Sequence, residues 1–258
     1  MLQKRVIPCL LLHKGGLYKT EKFKKPTYIG DPINAIKIFN EKEVDELMFL
    51  DIDATVSQKE PNYKMIEDIA SECFMPLCYG GGVKSIEQMK KIYALGVEKI
   101  SLSSQAVLNP SLISEAASVF GSQSVIVTID VKKDFWGKKR VFIYNGKMNT
   151  KRDPMEFITV VENLGAGEIV INSIDNDGMM KGYDNEFLKA LKATVNVPLI
   201  ALGGAGKIEH IKEVFEQAHV DAVACGSLFV YQGLLKGVLI SYPPYEQIQR
   251  LLQGEMHP

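Results

Sequence analysis

The chain has 258 residues, 46% of them hydrophobic, and its 30 Lys and Arg against 31 Asp and Glu leave a net charge of −1. That length suits one (β/α)8 barrel or two smaller domains, and the balanced charge gives no field that would draw the chain to nucleic acid or an anionic membrane. Its longest apolar runs, such as "SVIVTID" and "VPLIALGG", fall far short of the ~20 residues of a membrane span.

The chain opens on "MLQKRVIPCLLLHKGG", basic residues before a short apolar run. No small-residue cleavage site follows, so the stretch reads as a first strand, over 5–12, rather than a signal peptide. Further β-rich runs follow at 46–53, 76–81, 99–104, 124–131, 168–174, 198–204 and 222–229. Between most of them lie amphipathic segments such as "KSIEQMKKIYALGVE" and "KIEHIKEVFEQAHVD", with apolar residues at three- and four-residue steps. Eight strands separated by helices predict an α/β fold with a parallel sheet, and eight strands close a TIM barrel. An open doubly wound sheet competes, but no GxGxxG turn follows the first strand.

The two halves resemble each other. "PLCYGGGVKSIEQMKKIYALGVEKISLSS" parallels "PLIALGGAGKIEHIKEVFEQAHVDAVACGS", and "FLDIDAT" parallels "INSIDNDG", at an offset of about 122 residues. A long period repeated twice suggests two similar half-barrels rather than a solenoid. No proline- or serine-rich linker divides them, so 1–258 reads as a single domain. Cys9, Cys73, Cys78 and Cys225 show no CxxC spacing and lie mostly in apolar runs, as buried thiols in a reducing cytoplasm would. His13, His210, His219 and His257 are scattered without ligand spacing; no metal or organic cofactor is indicated.

Each half places glycines after its third strand, Gly80-Gly81-Gly82 and Gly203-Gly204, and ends its fourth on small residues, Ser103-Ser104 and Gly226-Ser227. Glycine lets backbone approach an anion, and the helix that follows offers free N–H groups at its positive end. Two phosphate sites at opposite edges of one mouth would suit an elongated ligand with a phosphate at each end; tight turns that need glycine are the plainer explanation. Asp130 ends "VIVTID" at the mouth as a candidate general acid or base. Asp51, Asp53, Asp175, Asp177 and Asp184 also fall near strand ends, where some serve only as caps. Lys19, in the long loop after strand 1, could reach a phosphate. At the opposite rim, Arg5, Glu46, Lys99 and Glu168 begin strands 1, 2, 4 and 6. Alternation puts Arg5 on a face with Leu11, and Lys99 on a face with Ser101 and Ser103. Either these four charges meet inside the barrel and pair to offset desolvation, or each is solvated separately.

"KRVIPCL", "GDP", "DELMFLDI", "YGGGV", "NPSLI", "FGSQSVIVTID", "GAGEIVINSIDNDG", "KGYD" and "GGAGK" occur in order along nearly the whole chain. Together they resemble the cyclase subunit of imidazole glycerol phosphate synthase, a (β/α)8 barrel of histidine biosynthesis. The resemblance implies a glutaminase subunit docked on the barrel floor, and ammonia passing through the barrel to a substrate with two phosphates. It makes Arg5, Glu46, Lys99 and Glu168 a charged gate. It makes Lys19, Gly81, Gly82, Ser103, Ser104, Asn172, Asp177, Gly203, Gly204, Gly226 and Ser227 phosphate- or substrate-binding residues, and Asp130 one of two catalytic acids. The other acid is absent: the family's aspartate at the end of strand 1 is Leu11 here. The family's asparagine–threonine pair is Ser103-Ser104, and its strand 6 threonine is Asn172.

Leucine can neither give nor take a proton, so a two-carboxylate mechanism loses half its apparatus, a loss that commonly costs ~10²–10⁴-fold in rate. "IPCLLL", "DPINAIKIFNEKEVDEL", "ECFMP" and "VLISYP" resemble a divergent branch that accompanies surface-polysaccharide sugar biosynthesis. There a glutaminase and a third amidotransferase protein would help turn an acetamido into an acetamidino group on a phosphorylated or nucleotide-linked substrate. The C-terminal "GVLISYPPYEQIQRLL" is expected to replace the usual last barrel helix pattern. Competing expectations are an authentic cyclase using Asp130 with Asp51 or Asp177, a non-catalytic ammonia conduit, and, disfavoured by the gate, a related sugar isomerase.

Overall fold

In the computed structural model, which describes residues 4–233 and 235–253, eight parallel strands close on themselves: β1 (Arg5–His13), β2 (Leu47–Asp51), β3 (Leu77–Gly80), β4 (Lys99–Leu102), β5 (Val125–Lys133), β6 (Glu168–Ser173), β7 (Leu199–Leu202) and β8 (Ala222–Cys225). Each pairs with its neighbours in sequence, and β8 pairs with β1, Arg5 opposite Ala222. A helix follows every strand: α1 (Pro32–Glu41), α2 (Tyr63–Glu72), α3 (Ile86–Ala94), α4 (Ser111–Phe120), α5 (Pro154–Asn163), α6 (Asn185–Lys192), α7 (Ile208–Ala218) and α8 (Tyr245–Gln253). This is a (β/α)8 TIM barrel.

Local sequence explains the element boundaries. Side chains of Asp31, Asn62, Ser85, Asp153 and Asp184 accept from backbone N–H groups in the first turns of α1, α2, α3, α5 and α6, and proline opens α1 and α5; free N–H groups at a helix start need such acceptors. Strand alternation then sorts the core. In β5, Val125, Val127, Ile129 and Val131 pack outward among the helices, while Ile126, Thr128 and Asp130 point inward. Inside the barrel, Ile7, Cys9, Met48, Cys78, Ile126, Val170, Ile200 and Ala224 form a separate apolar cluster.

Three stretches differ from expectation. The segment after β1 is a hairpin, Gly16–Glu21 against Lys24–Gly30, whose first strand pairs with the end of β1; Lys19 is therefore a buried strand residue rather than a loop residue. The run 222–229 stops at Cys225, and Ser227 begins a short helix, Ser227–Val230. The C-terminal stretch does supply a last barrel helix, α8. Its Ile248 and Leu251 are buried, and Tyr242 just before it donates to the Val6 carbonyl at 3.1 Å while packing on Phe39 and Phe229. Pro243-Pro244 hide a helical pattern that apolar packing restores. Among the described residues, no helix is long and apolar enough to cross a membrane.

Candidate active site

At the floor, the inward positions at the starts of β1, β4 and β6, and the residue before β2, bring four charges together. Arg5 donates to Glu46 at 2.5 Å and Glu168 at 3.0 Å; Lys99 donates to Glu46 at 2.9 Å and Glu168 at 3.0 Å. Each cation thus bridges both anions, and the Glu46 side chain is only 2% exposed. Burial works against the charged forms of Arg5 and Lys99, but Glu168 and Glu46 beside them hold both cations above their ordinary values. Separate solvation of these charges does not occur.

Above the floor the interior turns apolar, with one polar contact on its wall: Ser101 Oγ and Thr128 Oγ1, 2.6 Å apart. At the mouth the next inward positions split into two sides. Parallel register sets Leu11 of β1 directly beside Leu50 of β2, and Asp130 of β5 directly beside Asn172 of β6. The acid side is hydrogen-bonded: Ser103 Oγ donates to Asp130 Oδ2, and Asn172 Nδ2 to Asp130 Oδ1, both at 3.0 Å. Burial dominates those bonds and pushes the Asp130 carboxyl up to about 7. An acid that is half-ionised near neutrality can both take and give a proton. Of the three leucines that end β1, only Leu11 reaches the mouth; Leu10 and Leu12 pack among the helices.

Two glycine-lined pockets open on this mouth. The first is bordered by Gly81, Gly82, Ser103 and Ser104, the second by Lys19, Gly203, Gly204, Gly226 and Ser227. The halves of the barrel build them alike. Gly81, at φ +128°, has no room for a Cβ because the backbone of Asp51 at the end of β2 lies against it; Gly203, at φ +91°, would set a Cβ 2.7 Å from the Ser173 carbonyl at the end of β6. Turn geometry alone thus demands glycine, and the same tightness bares backbone to a ligand. In the second pocket the Ser227 hydroxyl is buried without a hydrogen-bond partner. In the first, Ser104 Oγ instead accepts from the Tyr144 N–H at 3.1 Å.

Lys19 and Asp177 form a pair. Lys19 Nζ lies 2.6 Å from Asp177 Oδ1 and 3.2 Å from the Thr20 carbonyl, while Thr20 Oγ1 donates to Asp177 Oδ2 at 3.0 Å. The Lys22 N–H donates to the Asp177 carbonyl at 2.9 Å, so the hairpin is pinned over the mouth, with its cation in the wall of the second pocket. The remaining strand-end acids hold loops. Asp51 Oδ1 accepts from the N–H groups of Asp53 and Ala54, and burial raises its carboxyl. Asp53 pairs with His13 at 2.6 Å, Asp175 accepts from the Lys133 N–H, and Asp184 caps α6. Several lining residues escaped the sequence reading, Leu50 and Phe23 among them. Leu50 was available from strand alternation, whereas Phe23, at the tip of the hairpin with φ +60°, carries no signal. Among the described residues, no group of three or more His, Cys, Asp or Glu could hold a metal ion; His257 lies outside them.

Comparison with known proteins agrees with this geometry. Residues 5–236 match the family described as "Histidine biosynthesis protein". A protein of Pseudomonas aeruginosa, provisionally named imidazole glycerol phosphate synthase subunit hisF2, is 54% identical over 248 residues, covering 96% of this chain and 99% of its own. A Vibrio vulnificus protein, provisionally named subunit hisF3 of the same synthase, is 51% identical over 98% of both chains. The imidazole glycerol phosphate synthase subunit HisF of Clostridium botulinum is 42% identical over 91% of this chain and 93% of its own. With its closed barrel and its end-to-end match, the chain belongs to the histidine biosynthesis protein family, as a HisF-type barrel of the imidazole glycerol phosphate synthase cyclase-subunit kind.

Proposed function

We propose that this barrel takes ammonia from a glutaminase subunit at its floor and delivers it to the mouth, where the nitrogen serves to convert an acetamido into an acetamidino group on a sugar destined for surface polysaccharide. The observation that carries this reading is the contrast between a complete floor and a half-equipped mouth. Arg5, Glu46, Lys99 and Glu168 make all four of their mutual contacts, while Asp130 faces Leu11 and Leu50 rather than a second acid. Asp177 is committed to Lys19 and Thr20, and Asp51 to two backbone N–H groups, so neither replaces the missing group without rearrangement. Asp130 would manage the proton carried by the incoming nitrogen. Amidination exchanges the acetamido oxygen for nitrogen, and we assign activation of that oxygen to the third amidotransferase protein. Lys19, Gly203, Gly204, Gly226 and Ser227 would hold an anionic part of the substrate, with Gly81, Gly82, Ser103 and Ser104 lining a second anion site.

An authentic cyclase is the second reading, favoured by the perturbed Asp130 and by the names of the relatives. The two part on turnover of the formimino ribonucleotide of the histidine pathway by the purified barrel in saturating ammonium, which needs no glutaminase. We expect none in the wild type. Rapid turnover would make the chain a histidine enzyme and sink the amidination reading. Glutamine-coupled nitrogen transfer, measured with glutaminase and acceptor protein present, is expected to fall with Arg5→Ala and Lys99→Ala; no effect of either would remove the conduit.

A further inference from the structure

The balanced net charge hides an uneven distribution. Residues 132–152 hold eight Lys and Arg against one acid, Asp134, so this stretch carries +7 and the rest of the chain −8. Much of it belongs to the hairpin that prolongs β5 beyond Asp130 at the mouth end, with Lys139–Ile143 as its return strand and Lys133 opposite Lys139. The tip is held in one shape. The Asp134 N–H donates to the Lys138 carbonyl at 2.8 Å, and Asp134 Oδ1 accepts from the N–H groups of Trp136 and Lys138, both at 2.9 Å. On that turn Phe135 and Trp136 are 93% and 81% exposed, their rings edge to face with 5.4 Å between centroids. One exposed aromatic is ordinary, but two side by side on an ordered turn among cations mark a contact surface.

The charges around the tip fall into two groups. Arg140 lies 3.4 Å from Asp134 and 3.5 Å from Asp153, Lys139 pairs with Asp184 at 2.5 Å, and Arg152 lies over the Phe157 ring. Asp175, the other acid beside the hairpin, accepts from the Lys133 N–H. Among the described residues, Lys133, Lys138, Lys147 and Lys151 are exposed with no carboxylate in salt-bridge range. Both arginines are thus engaged, and the free cations are lysines. Protein interfaces favour arginine and disfavour lysine, whose ammonium is strongly hydrated. A lipid surface keeps its headgroups in water and takes lysine without stripping that hydration.

From this arrangement we infer that the hairpin tip is a contact for an anionic bilayer surface. Phe135 and Trp136 enter the headgroup region, and Lys133 and Lys138 beside them stay at the lipid phosphates. The contact brings the mouth end of the barrel to the membrane, and it is independent of the reaction performed at the mouth.

Trp136 is the only tryptophan in the chain, so its fluorescence reports on the tip alone. With the full chain and vesicles of equal parts phosphatidylcholine and phosphatidylglycerol, emission is expected to shift to the blue and the protein to sediment with the vesicles. Vesicles of phosphatidylcholine alone should do neither. Phe135→Ser with Trp136→Ser, and separately Lys133→Gln with Lys138→Gln, should each lower vesicle affinity about tenfold, and added salt should weaken it further. All four side chains are exposed, so neither change threatens the fold. No binding to the anionic vesicles overturns the inference and leaves the tip to a protein partner. Sedimentation without a blue shift, or sedimentation unchanged in both double variants, overturns it as well, since another face would then be adsorbing. Displacement by inorganic phosphate at matched ionic strength would move the contact to the glycine-lined pockets and equally sink it.

Discussion

The floor and the mouth of this barrel are built from the same inward-facing strand positions and reach opposite states. At the floor, Arg5, Glu46, Lys99 and Glu168 satisfy one another in a ring, with only Glu46 Oε1 left over. At the mouth, Leu11 and Leu50 stand against Asp130 and Asn172, and the polar side is left unfinished: a buried acid near 7, an orphaned Asn172 Oδ1 and an orphaned Ser227 hydroxyl. At the floor every charge meets two of opposite sign, and a single buried oxygen stays unpartnered. The mouth keeps two unpartnered buried polar atoms and one buried acid without an opposite charge, so the two ends of one barrel differ in how far their polar groups are satisfied.

Breaking the floor should have the largest effect on stability. Glu46 holds both cations, so Glu46→Ala leaves Arg5 and Lys99 sharing Glu168, and we expect a loss of about 3 kcal/mol in urea unfolding, the scale for removing one partner of a buried ion pair. A change below about 1 kcal/mol would show that water reaches the ring and that the two ends differ less than their contacts suggest. At the mouth, Gly203→Ala forces a Cβ toward the Ser173 carbonyl at positive φ, a strain of about 1–3 kcal/mol. It should also abolish protection by inorganic phosphate in thermal melts; retained protection would place the anion elsewhere.

Asp130→Asn separates the ends through pH. Native Asp130 keeps its proton up to about 7, whereas an unfolded aspartate loses it near 4. The native state therefore binds more protons between those values, and the contribution of Asp130 to stability falls as pH rises through that window. Asparagine cannot ionise, so the variant should gain on the wild type in melting temperature from pH 4 to pH 7 and hold that gain above. A difference that does not vary with pH would mean Asp130 is ionised throughout. The smallest effect belongs to Phe135 and Trp136, 93% and 81% exposed at the far end of the β5 extension: serine at either should change stability by no more than about 0.5 kcal/mol, measured by chemical unfolding.

Much of this was legible beforehand because it depends on period and spacing. Eight apolar runs with amphipathic stretches between them specify a parallel barrel, and a period of two puts Arg5 with Leu11 and Lys99 with Ser103 on inward faces. Asp130 was legible as a mouth acid for the same reason. Lys19 and Asp177 were not legible as a pair, since 158 positions separate them and only the hairpin's fold over the mouth joins them. Phe23 had no pattern at all. The helical character of α8 was masked by the prolines before it.

By itself, the amino-acid sequence determined the strand count, the inward and outward alternation, the glycines at both pockets and the identity of the charges at the floor, because each follows from neighbours a few residues apart. Tertiary structure alone decided that those charges pair, that Leu11 lies beside Leu50 and Asp130 beside Asn172, and that Asn172 keeps one oxygen free. Those facts belong to strand register and barrel closure, which bring together side chains far apart in the chain and set which polar atoms find partners and which do not.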